Sequence, residues 1–157
     1  MTATKVIGES VKQTNRTFIK SYVEDYAKAI TENYRRYHIN TLNGNLHGNY
    51  PEYAKQQLAE IENGTANLMK FKVYTGKRYY KIVQQEFETW EKSRNYGKYA
   101  DGSVHCFVDK ETGDVYKPAS WKAPAKHIRF TFQNVDHLKF LLNPDNVGWA
   151  GGYLYIR

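Results

Sequence analysis

Two groupings of side chains in this sequence could do chemistry: the adjacent pair His105 and Cys106, and two stretches where cations interleave with aromatic rings. A histidine beside a thiol is the raw material of nucleophilic catalysis, the imidazole serving as base and the thiolate as nucleophile. On a regular strand, however, neighbouring side chains point to opposite faces, so these two are not expected to share a hydrogen bond. Cys106 alternates with Val104 and Val108 and reads as a small buried hydrophobe. His105 falls on the face of Phe107, with Asp109 or Asp114 as the nearby acid for any proton transfer. The expectation is that neither residue is catalytic and that the protein is not an enzyme. An enzyme reading would need a small-ligand cleft between the Trp121 loop and the amino-terminal helices.

The five histidines, His38, His47, His105, His127 and His137, form no H-E-x-x-H pattern and no pair at helical spacing. Nor is there a P-loop, a dinucleotide-binding glycine turn or a hydrolase elbow. No metal and no cofactor are expected. The single cysteine excludes an internal disulfide, as suits a reducing compartment.

The cation and aromatic stretches carry more. Lys77, Arg78, Tyr79, Tyr80 and Lys81 form one; Tyr116, Lys117, Trp121, Lys122 and Lys126 form the other. Residues 63–130 hold 13 basic and 7 acidic side chains, whereas residues 1–62 hold 8 and 7, so most of the net charge of +7 sits in the middle of the chain. Segments 63–85 and 115–130 contain no acid at all. A single-stranded nucleic acid needs such a surface, since cations take the phosphates and exposed rings take the bases. The candidate contacts are Lys70, Lys72, Lys77, Arg78, Lys81, Lys117, Lys122, Lys126 and Arg129 for phosphate, with Tyr80, Tyr116 and Trp121 for stacking. The competing expectation is that the lysines only solvate the sheet, and that Trp121 plugs an open end of the core between Pro118 and Pro124.

These residues must be positioned by the elements around them. Phe18, Tyr22, Val23, Tyr26, Ala27, Ile30, Tyr34 and Tyr37 recur at helical spacing, which predicts a helix over 14–37, capped by Thr14 or Asn15 and ended by the Asn40 to Gly48 stretch. Pro51 and Gly64 bracket a second helix. From Leu68 the period becomes two: a hairpin turns at Thr75 and Gly76, a second flanks Asp109 to Asp114, and the Glu86 to Asp101 segment between them is a short helix or a long loop. Pro118 and Pro124 make Lys117 to Lys126 an ordered loop. A strand at 128–132, a helix at 135–142 and a closing strand at 153–156 follow.

The predicted fold is α+β: two N-terminal helices packed on a mostly antiparallel sheet of hairpins, with a short C-terminal helix and closing strand. One domain spans residues 1–157, with a helical part (1–64), a basic hairpin sheet (65–132) and a terminal part (133–157). Neither a membrane span nor a signal peptide is expected, which places the protein in a cytoplasm. A homodimer could form through the uncovered edge of the closing strand.

The stretch 103–129 reads SVHCFVDKETGDVYKPASWKAPAKHIR. Val104, His105, Phe107 to Lys110, and Thr112 to Lys126 resemble a V-H-x-F-V-D-K-x-T-G-D-V-Y-K-P-A-S-W-K-A-P-A-K block that closes the chain in short proteins of tailed bacteriophages, including those of marine cyanobacteria. Lys70 to Val73 and Tyr79 to Val83 are similar to that family's first hairpin. The chain departs from the pattern at His127, where the family has glycine, and continues beyond it. The resemblance implies a phage or phage-derived source, in the host cytoplasm or the virion, and no particular activity or cofactor. The expected function is a non-enzymatic nucleic-acid-binding accessory protein. The alternative is a structural or host-protein-interaction protein that meets an acidic protein surface instead.

Overall fold

The computed structural model describes the backbone of residues 2–155 and the side chains of residues 16–155. Helix α1 (Thr2–Asn45) is followed by α2 (Pro51–Asn63), then by strands β1 (Lys70–Thr75), β2 (Tyr79–Phe87), β3 (Tyr99–Asp109), β4 (Asp114–Tyr116) and β5 (Phe130–Thr131), and by α3 (Val135–Leu141). A 3-10 turn, Gly152–Tyr155, follows α3. The five strands form one antiparallel meander in chain order, β1-β2-β3-β4-β5. The fold is α+β, with helix α1 packed on one sheet face and α2 against α1. No helix among the described residues is long and apolar enough to cross a membrane.

Helix α1 buries Ile19, Val23, Tyr26, Ala27 and Ile30, a stripe at three- and four-residue spacing. Phe18 and Tyr37, counted in the same stripe by spacing alone, are exposed. The helix also exceeds its predicted bounds at both ends. Thr14 and Asn15 lie within it rather than capping it, and the asparagine- and glycine-containing segment after Tyr37 stays helical to Asn45. Weak intrinsic propensity loses there to packing, because Leu42 in this stretch is buried. Helix α2 conforms to expectation: Pro51 opens it, and Gly64 closes it at φ 76° with its amide donating to Glu60 and Ile61 carbonyls.

Both hairpins form, and both are longer than their sequence signals. Strand β2 runs to Phe87 and β3 begins at Tyr99, so the expected loop or helix over Glu86 to Asp101 shrinks to a connection of 88–98. At the β3–β4 turn, Asp109 Oδ1 accepts from the Glu111 and Thr112 amides at 2.8 and 3.1 Å. Gly113 sits at φ 74°, and a Cβ there would lie 2.9 Å from Phe132 Cβ, which demands glycine twice over. The predicted strand at 128–132 contracts to Phe130–Thr131.

The closing strand does not form. Gly151, at φ 82°, turns the chain into the 3-10 segment, which buries the neighbours Tyr153 and Leu154 together. A strand would have sent them to opposite faces. Ile156 lies outside the described residues. Among the described residues, the strand edge expected to carry a homodimer is therefore not formed, and β1 and β5 are the edges of the sheet.

Candidate nucleic-acid interface

The register sorts side chains between a helix-covered face and an open one. Val73 pairs with Ile82, Tyr80 with Val108, and Val108 with Val115, all on the helix side. Tyr74 pairs with Lys81, Lys81 with Phe107, and Phe107 with Tyr116, which sets these four across the open face. Strand spacing of about 4.8 Å makes that row roughly 14 Å wide.

On the open face lies a groove of about 440 Å³, lined by Tyr74, Thr75, Gly76, Lys77, Arg78, Tyr79, Lys81, Asp101, Phe107, Trp121 and Lys122. Phe107 forms its buried floor, and Tyr79 meets both Phe107 and Tyr116 edge-on, with centroids 5.9 and 6.1 Å apart. The Lys117 to Lys126 loop forms one wall. It is ordered, as the prolines predict: Pro118 and Pro124 bridge, the Ala125 amide donates to Lys117 O at 2.8 Å, and Ser120 Oγ accepts from the Lys122 and Ala123 amides.

Trp121 does not plug the core. It is 43% exposed and belongs to the face opposite the helices, where Lys81 Nζ sits 4.1 Å from the indole centroid and donates to Trp121 O at 3.0 Å. The helix-side core contains Phe132, Leu141, Tyr153 and Leu154 and does not include Trp121. The sheet thus lies between the Trp121 loop and helix α1.

Pairing of a cation with a ring recurs across this face. Lys70 Nζ lies 3.9 Å over Tyr99, Lys72 Nζ 4.9 Å over Tyr74, and Arg78 5.3 Å over Tyr79. Exposed pairs of this kind hold together by only about 0.5–1 kcal/mol, so an incoming phosphate or base can displace one member. Arg78 Nε lies 3.7 Å from Asp109 Oδ2. Asp101 is held ionised below the usual carboxylate range, first by the Gln85 amide and then by the Tyr74 hydroxyl.

Of the residues expected to contact nucleic acid, the structure brings Lys77, Arg78, Lys81, Trp121 and Lys122 together in the groove. Lys70, Lys72 and Tyr116 share the open face beside it, whereas Lys117, next after Tyr116, lies against Tyr155 of the C-terminal 3-10 segment and outside the groove lining. Tyr80 does not belong: it is buried on the helix side. The reason is the period of two, since a neighbour of Lys81 must point the other way. Tyr79, together with Tyr74 on the parity of Lys72, lies on the open face instead and lines the groove. Lys126 is exposed outside the groove lining, and Arg129, partly buried with an unpartnered Nε, is poorly placed for a strand lying in the groove. Asp101 had no sequence signal, because the start of β3 was not legible.

The His105 and Cys106 pair also departs from expectation. Ile82 pairs with Cys106 but Val83 with Val104, so His105 is the extra residue of a β-bulge. The bulge puts both side chains on the helix side: Cys106 in the core, and His105 edge-on to Phe71 at 5.3 Å. His105 Nε2 lies 2.7 Å from Tyr153 Oη, which lies 2.5 Å from Tyr26 Oη, and Tyr26 bonds Cys106. The other ring nitrogen of His105 donates to the Trp149 backbone. Nε2 must then accept from Tyr153, which accepts from Tyr26. Burial holds the imidazole neutral, with its pKa lowered to about 4, and pushes the Cys106 thiol up to about 12. A neutral thiol beneath a layer of tyrosines is a poor nucleophile, so this chain of bonds is a structural device.

A family model described as "Family of unknown function (DUF7717)" matches residues 5–156. Neither the curated proteins nor the solved structures include a match to this chain. The chain belongs to the family of unknown function DUF7717.

Proposed function

We propose that this protein is a non-enzymatic accessory protein, of phage or phage-derived origin, that binds single-stranded nucleic acid on the open face of its sheet. The carrying observation is the groove itself, where Lys77, Arg78, Lys81 and Lys122 surround the rings of Tyr74, Tyr79 and Trp121. Phosphates would draw the ammonium groups away from the rings, and the freed rings would accept bases by stacking. The origin rests on the Val104 to Lys126 block. The absence of a regular base-reading motif fits recognition with little dependence on sequence over most of the site.

The test is fluorescence anisotropy of labelled single-stranded RNA and DNA at low ionic strength. Binding should weaken steeply with added salt, and a Lys77→Ala, Lys122→Ala double variant should bind more weakly while melting as the parent does. Absence of any anisotropy change defeats the proposal. A second reading, a virion component or host-protein ligand, draws on the exposed Tyr37, Tyr50 and Tyr53 of the helical part. Light scattering separates it, through a stable higher oligomer or capture of one purified host protein with no nucleic acid.

A further inference from the structure

The meander places the β1–β2 turn and the β3–β4 turn at the same end of the sheet, and both turns carry cations: Lys77 and Arg78 in the first, Lys110 in the second. The Lys110 amide donates to Arg78 O at 3.0 Å and its ammonium to Gly76 O at 3.1 Å, so the two turns are tied side by side. Between them and Arg16 of α1 lies a second cavity, of about 600 Å³, which shares Lys77 and Arg78 with the groove. Its other walls are Lys110, Thr112 and two acids, Asp109 and Glu111. Both acids are engaged. Asp109 is buried, with Oδ1 accepting from the Glu111 and Thr112 amides and Oδ2 lying 3.7 Å from Arg78 Nε. Glu111 pairs with Arg16 at 2.7 Å, an exposed contact that holds only weakly in water. Among the described residues, Lys77 and Lys110 have no carboxylate partner, and Lys110 keeps two ammonium protons after its bond to Gly76.

Resting on the nucleic-acid reading, we infer that this cavity is a second subsite, for backbone phosphate alone: a strand with a base in the groove crosses the Lys77–Arg78 turn and sets its next phosphates against Lys110 and Arg16. The difference between the two cavities carries the assignment. The groove offers the rings of Tyr74, Tyr79 and Trp121 and so takes a base as well as charge. Among the described residues no ring lines the second cavity; six of its seven lining residues are charged, four of them cationic. A base gains no stacking there, whereas a phosphodiester meets net positive charge and N–H donors. Lys77 and Arg78 belong to both cavities, so consecutive phosphates pass from one to the other without a gap in counter-charge. Glu111 is the opposing group, since its charge faces the same space and is balanced only by the exposed Arg16 pair. Neither Arg16 nor Lys110 stands out in the sequence, because one lies on the amino-terminal helix and the other sits between two acids.

The experiment titrates fluorescein-labelled oligouridines of three and nine residues with the full chain over a range of salt concentrations, parent against an Arg16→Gln, Lys110→Gln variant. The trinucleotide has two internucleotide phosphates, which the groove's own cations can take; the nine-residue strand reaches the second cavity. For the longer strand the variant should bind more weakly, with the slope of log K against log salt flattened by about 1.4, two contacts at about 0.7 each. The deficit should be confined to that strand. Glu111→Gln, which removes the opposing charge, should tighten the nine-residue strand by about threefold, the worth of one unit of repulsion across ~7 Å of water, a gain that misfolding cannot produce. Parent-like affinity and slope in the double variant, equal weakening of both strands, or no gain from Glu111→Gln overturns the second subsite and leaves the groove reading standing. No binding of either strand by the parent overturns both.

Discussion

The two faces of the sheet are built from the same residue types and put them to opposite uses. On the helix side, Tyr26 and Tyr153 are buried, their hydroxyls closed into a chain from Cys106 to His105, with every polar atom of that chain matched inside the protein. On the open side, Tyr74, Tyr79 and Trp121 are accessible, and their partners are the ammonium and guanidinium groups of Lys72, Arg78 and Lys81. A ring whose hydroxyl is satisfied in the core contributes to stability and has nothing left to offer a ligand. A ring covered by a solvated cation contributes little to stability and can exchange that cation for a base. The composition of a face therefore says less than the partner each ring has.

The sharpest way to break this contrast is to remove one ring from each side. Tyr153→Ala opens a cavity and strands the buried imidazole, so it should cost about 3–5 kcal/mol in denaturant unfolding. At the other end of the scale, Trp121→Ala should lower stability by about 1 kcal/mol or less while weakening strand binding, since only a half-exposed ring and one cation contact are lost. Should Trp121→Ala melt far below the parent, the indole belongs with the core residues and the distinction between the faces fails.

An acid titration gives the next largest effect. His105 is neutral in the folded protein, its pKa lowered to about 4 by burial. The unfolded chain takes up the proton near pH 6.5, so between those two values the unfolded state binds more protons and stability falls as pH falls. The full loss is about 3 kcal/mol, complete only near pH 4. Chemical denaturation across pH 7.5 to 4.5 should show it, and His105→Phe, although less stable at neutral pH, should have a shallower slope over the same window. Equal slopes would mean that the imidazole is not held neutral.

A smaller effect concerns the thiol. With the Cys106 pKa pushed up to about 12 and its side chain buried, a thiol reagent at pH 8 should label the native protein only as fast as it opens, and denatured protein at once. Rapid native labelling would place Cys106 at an accessible surface.

Much of this contrast was legible before any coordinates. The hairpins followed from strict alternation in Met69 to Val73 and from the Thr75-Gly76 and Thr112-Gly113 turns, and the two prolines correctly made 117–126 an ordered loop. The alternation also carries the information that Tyr79, not Tyr80, shares a face with Lys81. Other features were beyond local patterns. The β-bulge at His105 depends on how β2 pairs with β3, a nonlocal choice that no spacing within 103–109 reveals. Helix α1 continuing through Asn40 to Asn45 and the 3-10 turn at Gly152–Tyr155 are likewise set by packing, against α2 and the core. Trp121 was misplaced because a proline-bracketed tryptophan carries no sign of which sheet face it will meet.

The most direct test of the open face as a nucleic-acid surface is the salt dependence of binding to a labelled oligouridine, parent against a Lys77→Ala, Lys81→Ala, Lys122→Ala variant. Each phosphate neutralised on a single strand contributes about −0.7 to the slope of log K against log salt. Removing three cations should therefore flatten the slope by about 2 and weaken binding at every salt concentration, with the helix-side core and its acid titration unchanged. Binding by the variant with the parent's slope and affinity would contradict the assignment, because the strand would then be held somewhere other than the groove.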